Sequence, residues 1–227
     1  MAGILIHAGY LGGLFTGIHL GITAGISSII VNLQPVLVSS LAAKVLGETV
    51  TKRQWFELGL GFAGVLLVVA EKFLESSKNA VNLWGVFACV IALLSSTAGT
   101  IYQKRNATQI PLVTGTIVQY MAAGSVFLLL ALLFEPMKIE WTGQFIFALS
   151  WFVLVISLGA ILLLMWLIRH TTASSVSSLF YLVPPLTTIE AYFLFGEQLG
   201  IAALVGMVLC VGAVALVVTT PKITLPE

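Results

Sequence analysis

Residues 172–218 read TASSVSSLFYLVPPLTTIEAYFLFGEQLGIAALVGMVLCVGAVALVV, and residues 23–69 read TAGISSIIVNLQPVLVSSLAAKVLGETVTKRQWFELGLGFAGVLLVV. Sliding the chain by 149 residues aligns the two stretches without a gap, and 14 of the 47 positions are identical. The identities include Ala24/Ala173, Ser28/Ser177, Pro35/Pro184, Gly47/Gly196, Glu48/Glu197 and the Leu67-Val68-Val69/Leu216-Val217-Val218 tail. Leucine and valine matches carry little weight, because apolar sequences coincide by composition. A proline followed by Gly-Glu, twice and in register, carries much more. Self-similarity at a fixed offset marks a duplicated structural unit.

Both copies are long apolar runs, and the rest of the chain continues in kind. Of 227 residues, 59% are hydrophobic and only 8% charged, with a mean hydropathy of +1.09. Soluble chains carry roughly 25% charged residues, and this one contains no Asp. So few charges would not clothe a soluble globule, whereas a bilayer accepts the deficit. The net charge of +1 without clustered Lys and Arg gives no sign of a nucleic-acid partner. Cys89 and Cys210 sit inside apolar runs and read as small core hydrophobes rather than a disulfide framework.

About 20 apolar residues between polar breaks suffice to cross a hydrocarbon core roughly 30 Å thick. On that criterion eight spans are predicted, at about 4–21, 24–43, 54–70, 82–102, 112–134, 145–168, 173–195 and 199–219. The expected fold is an all-α, polytopic membrane helix bundle without an extramembrane domain. The runs are too long for barrel strands. No basic segment precedes the first run, which therefore reads as a span rather than a signal peptide.

Short-loop Lys and Arg set the orientation. One side holds Lys44, Lys52, Arg53, Lys104, Arg105, Arg169 and Lys222, and the other holds Lys72, Lys78 and Lys138. The majority side, with both chain ends, is expected to be cytoplasmic. Trp55, Trp84 and Trp141 fall at predicted interfaces, where an amphipathic indole anchors a helix.

Five spans separate each repeated element from its copy, and an odd number inverts orientation. Inverted repeats of this kind build secondary transporters, whose halves rock about a site near the midplane. The second unit looks complete from residue 82, whose counterpart would lie about 67 residues before Met1. The first unit is therefore expected to lack two helices, the counterparts of spans four and five. Residues 1–70 read as a partial first repeat of three helices, and 82–219 as a complete second repeat of five.

On these residues the chain resembles the drug/metabolite transporter superfamily, specifically its ten-helix EamA-like branch. The resemblance rests on Pro35…Gly47-Glu48 and Pro184…Gly196-Glu197, with the Gln34-Pro35 and Val183-Pro184-Pro185 centres. It extends over essentially all 227 residues. It implies two five-helix inverted repeats, an inner-membrane location, and export or exchange of small metabolites such as amino acids, purines or nucleotide sugars. The two helices lacking here help to wall the central cavity in that family.

Proline inside a helix removes one backbone hydrogen bond and blocks another, freeing carbonyls that must find neighbours or face a cavity. Pro35 and Pro184, with Pro185 beside it, fall in mid-span. Either they shape a cavity and bring Asn32, Gln34 and Tyr181 to a solute, or they kink the helices for packing. Ser174, Ser177, Tyr181, Pro184 and Thr188 step by three or four and share one helix face. That stripe either lines a solute path or bonds helix to helix. Gln119 lies well inside span five as a candidate polar contact. Glu190, without an acidic counterpart, either meets a cationic group or snorkels to the interface.

Gly47-Glu48 and Gly196-Glu197 read as structural. Each Gly is expected to end a helix in the left-handed conformation, and each Glu to tie down its loop, Glu48 near Lys52. Glu57 is one turn from Arg53, the spacing of an i,i+4 ion pair. His7 and Tyr10 share a face of span one. Arg169-His170 reads as a topology determinant. Glycines at 9, 13, 17, 21 and 25 form a ridge for close approach of a partner helix. No nucleophile elbow, phosphate-binding glycine loop or metal-ligand pair is present in the sequence, so neither enzyme chemistry, a cofactor nor a metal is expected.

The function expected is a secondary transporter exporting or exchanging a small organic solute by alternating access. Contacts would come from Asn32, Gln34, Gln119, Ser177, Tyr181, Thr188 and Glu190. The scarcity of buried charge favours a neutral or zwitterionic solute. The alternative is a non-transporting membrane interaction subunit, or a truncated remnant, in which another copy or another chain supplies the absent helices.

Overall fold

The computed structural model describes residues 1–22, 24–76, 82–106, 109–135, 138–186, 189, 193 and 200–219. The described residues form helices and turns with no strand among them. In chain order they are α1 (Ile4–His19), α2 (residues 24–45), α3 (Lys52–Ser76), α4 (Leu83–Asn106), α5 (Leu112–Phe134), α6 (Gly143–His170), α7 (residues 173–186) and α8 (Ile201–Thr219). Ile26–Val45, Leu83–Asn106, Leu112–Phe134 and Gly143–His170 are each long and apolar enough to cross a bilayer. The protein is an all-α membrane helix bundle.

Helices without a hydrophobic drive between them associate through close van der Waals packing, which small residues permit. Two glycine-lined contacts do this work. On α1, a Cβ at Gly9 would meet Ser95, one at Gly13 would meet Ala88 and Ala92, and one at Gly17 would meet Gly85 and Cys89. Ascending α1 thus descends α4, so the pair is antiparallel and α4 is the partner of the predicted ridge. Gly21 leaves that ridge, turning the chain at φ +90°.

The second contact joins α3 to α8. A Cβ at Gly64 would lie 2.7 Å from the Cys210 sulfur and 2.8 Å from the Gly206 carbonyl, and one at Gly206 would collide with Gly64 and Val68. This pair is also antiparallel. Leu58, Val65, Val69, Tyr181, Cys210 and Val214 form the apolar core beside it.

The expected mid-helix bend at Pro35 takes another form. α2 stops after Val31, turns through Asn32-Leu33 and restarts at Gln34, which puts Pro35 in the first turn of the new segment. The missing amide proton is harmless there, because a first-turn N–H has no helical partner. Ahead of Pro184, the chain likewise tightens into a 3₁₀ turn over Leu179–Leu182. α6 carries a π-helical stretch, Phe152–Ala160, that the sequence pattern did not signal.

Cross-links fix which ends of the helices lie together. Lys104 Nζ, near the end of α4, donates to the Ile168 and Thr171 carbonyls at 2.9 and 2.5 Å, capping the end of α6. Glu48, after α2, accepts from the Ala173 N–H at the start of α7 at 2.9 Å. Lys44, Lys52, Arg53, Lys104, Arg105 and Arg169 are therefore gathered at one end of the bundle. Trp84, in the first turn of α4, and Trp141, just ahead of α6, lie at the other, largely exposed.

Candidate solute-binding site

Between α1, α4, α5, α6 and α7 lies a cavity of about 670 Å³, a volume in the range of small-molecule sites. Its wall is mostly aromatic and aliphatic. α1 supplies His7, Tyr10 and Phe15; α5 supplies Tyr120 and Phe127; α6 supplies Phe152, Ile156 and Ser157; and α7 supplies Val176 and Phe180. Gln34, Ser96 and Thr100 add a small polar patch on the α2–α4 side. No Lys, Arg or Glu is among the described residues that line it.

Local bonds hold this wall in place. Gln34 Nε2 donates to Thr100 Oγ1 at 3.3 Å. The Tyr120 hydroxyl donates to the Ser157 carbonyl at 2.6 Å, so α5 and α6 are tied inside the cavity. The His7 ring lies 5.0 Å from that of Tyr120, centroid to centroid. His7 is 6% exposed, and its Nε2 has no hydrogen-bond partner among the described residues. A buried ring nitrogen without a partner favours a ligand that supplies one.

The sequence-predicted contacts divide. Gln34 reaches the cavity wall. Asn32 does not line it, and its Nδ2 turns back along its own helix to the Ser28 carbonyl at 2.8 Å and the Ser28 hydroxyl at 3.2 Å. Ser177 is fully buried away from the cavity, without a hydroxyl partner among the described residues. Tyr181 is a correction. Its ring packs on Gly61 within the α3–α8 core, because the Ser177–Tyr181 face of α7 points into the bundle while Val176 and Phe180 face the cavity. Pro184 and Pro185 are buried. Thr188 and Glu190 lie outside the described residues, as do Gly196 and Glu197.

Two repeat-motif residues are described. Gly47 follows α2 with φ +68°, the left-handed conformation that glycine adopts without a Cβ penalty. Glu48 does not stay within its loop near Lys52. Besides the Ala173 N–H it accepts from the Ser174 N–H at 3.5 Å and the Ser174 hydroxyl at 3.4 Å, where a carboxylate complements a helix start. Arg53 Nε donates to Glu57 Oε1 at 2.8 Å, an ion pair one turn apart.

Residues 2–70 and 83–219 match the EamA-like transporter family. The chain belongs to that family. It is 31% identical over 207 residues to the uncharacterized transporter YvbV of Bacillus subtilis, covering 88% of this chain and 64% of that protein. It is 25% identical over 219 residues to the uncharacterized inner membrane transporter YedA of Escherichia coli K12, covering 96% of this chain and 69% of that one. The chain thus spans about two thirds of these relatives' length. A crystal structure superposes with a TM-score of 0.79 at 18% identity, over 99% of this chain and 76% of the other. That likeness concerns the fold alone.

In this EamA-like chain Gln119 faces a separate, smaller cavity at the basic end, where its Nε2 donates to Gln103 Oε1 at 3.1 Å. The residues missed by sequence reasoning are mainly Phe15, Phe127, Phe152 and Phe180. A Phe is equally apolar facing lipid or cavity, so periodicity holds no signal for it. Ser96 and Thr100, a helical turn apart in mid-span, were the legible hint.

Proposed function

We propose that this chain carries a small, uncharged or zwitterionic organic solute across the inner membrane by alternating access, without a cofactor. The observation that carries the reading is the 670 Å³ cavity, aromatic on most sides, with His7, Gln34 and Thr100 as polar contacts and no charged residue among its described lining. Such a wall suits a solute with a flat apolar body and one or two hydrogen-bonding groups, since buried charge would need a partner that the wall lacks. Asn32 and Ser177 stand outside this set of contacts.

Alternating access in an inverted repeat requires related helices to run oppositely. α3 and α8 occupy positions 149 residues apart and pack antiparallel. The Cys210 thiol donates to the Gly61 carbonyl at 3.6 Å, and these two residues are each other's counterparts in the repeat. A residue that touches its own counterpart lies near a two-fold axis. The gathering of Lys and Arg at one end supports a cytoplasmic location for that end and for both termini.

The test is counterflow in proteoliposomes with labelled neutral metabolites, aromatic amino acids and nucleobases first. Saturable exchange that falls with Phe180→Ala and His7→Ala is expected. Exchange with unaltered kinetics in both variants would place the solute elsewhere.

A second reading, a membrane subunit completed by other helices, is favoured by α5 and α6. Each has only 11% of its most apolar stretch buried. A monodisperse single copy in detergent that exchanges solute once reconstituted into proteoliposomes would remove it.

A further inference from the structure

The smaller cavity, of about 200 Å³, sits at the basic end where the first turn of α5 meets the ends of α4 and α6. α5 begins behind Pro111, and no side chain among the described residues caps its first turn. Pro111, Leu112, Gly115 and Thr116 line the cavity, which therefore lies beside the positive end of a 23-residue helix.

Three side chains converge on the same space. Thr116, 5% exposed, carries a hydroxyl without a partner among the described residues. Gln119, 7% exposed, donates from Nε2 to Gln103 and leaves its Oε1, an acceptor, without a partner among the described residues. Turning both amides over preserves that bond and presents an N–H of Gln119 instead. Arg169 donates from Nη2 to the Ile110 carbonyl, which draws the guanidinium over the cavity and leaves its Nε buried without a partner among the described residues. No Glu is among the described residues lining it.

Uncapped helix amides, a hydroxyl and a guanidinium edge are all donors, and donors left dry are unfavourable. An oxyanion would satisfy them together, because helix starts and Arg forks both fit carboxylate and phosphate oxygens. We infer that this cavity binds an oxyanion, a carboxylate or phosphate group, seated on the first turn of α5 and held by Arg169. Its source is either a free small acid or the headgroup of an anionic lipid. The site is chemically unlike the large cavity, which offers no charge, and the Gln103–Gln119 bond stands beside it on α4 and α5. Arg169 thereby has a task besides setting topology.

Thermal unfolding of the full chain tests this without any transport assay, so a failed transport reading leaves the result intact. In lipid-free detergent, inorganic phosphate or succinate is titrated against chloride at matched ionic strength. In parallel, nanodiscs of phosphatidylglycerol are compared with nanodiscs of phosphatidylcholine. A saturable rise in midpoint with the soluble anions, lost in Arg169→Gln and intermediate in Arg169→Lys, identifies a free acid as occupant. A rise with phosphatidylglycerol alone, lost in the same variant, identifies a headgroup at the same site. Thr116→Val, which keeps the side-chain volume, is the second probe and is expected to weaken either effect should Arg169→Gln not fold. No saturable rise with any of these anions, or a rise that survives both Arg169→Gln and Thr116→Val, overturns the inference.

Discussion

The α3–α8 seam and the large cavity are walled by opposite kinds of position. Along the seam, Gly64 and Gly206 bring two backbones into contact, Cys210 bonds Gly61, and Tyr181 fills the space beside them. These residues come from the stretches that repeat at 149 residues. The cavity draws on α1, α4, α5 and α6, which lie outside those stretches, and takes only Gln34, Val176 and Phe180 from within them. Their counterparts are Val183, Ser27 and Val31, so none of the three is identical across the repeat. The repeated stretches of this chain therefore supply the packing seam, and most of the cavity wall comes from outside them.

The sharpest way to break that contrast is Gly64→Leu. With backbone atoms of α8 on the path of its first carbon, the substitution forces the helices apart, at a loss of about 3 kcal/mol. Loss of the monodisperse peak in size-exclusion chromatography is expected, and a well-folded variant would show that the seam is not tight. Phe180→Ala is expected to do the reverse, lowering exchange about tenfold, or about 1.4 kcal/mol, with the unfolding midpoint nearly unchanged. A midpoint that drops with the activity would make Phe180 a packing residue.

Glu48→Gln should weaken the charge-assisted cap on α7 by about 1 kcal/mol, read as a lower midpoint. The repeat predicts a similar loss for Glu197→Gln, and inequality of the two would show where the duplicated units have diverged. The smallest effect belongs to Tyr181→Phe. Its hydroxyl has no partner among the described residues, so stability is expected to move by less than about 0.5 kcal/mol and solute exchange not at all. A clear loss of exchange would return Tyr181 to the site.

Composition and run length made the membrane bundle legible, and the span expected at 112–134 coincides with Leu112–Phe134. The glycine ridge on α1 announced a close partner but not its identity, since Gly85 and Ala92 are ordinary small residues until the helices meet. The structural role expected of Glu48 has partners other than Lys52, namely Ala173 and Ser174, some 125 residues away. Only proximity within one helix or loop is visible in spacing, which is why the Arg53–Glu57 pair was found and this one was not. The polar stripe on α7 left two readings open for a different reason. In lipid-embedded bundles hydroxyls also pack against other helices, so polarity marks the inward face without saying whether that face meets a cavity.

Glu48 follows α2, while the amides it holds open α7, from the other repeated stretch. A clasp with one jaw on each stretch resists separation at the basic end, and the glycine seam between α3 and α8 resists it in the bundle core. On the proposed alternating-access reading, relative movement would be channelled away from both and toward α5 and α6, each with only 11% of its most apolar stretch buried. Opening and closing of the cavity would be work done by its outer wall, swung against a fixed frame.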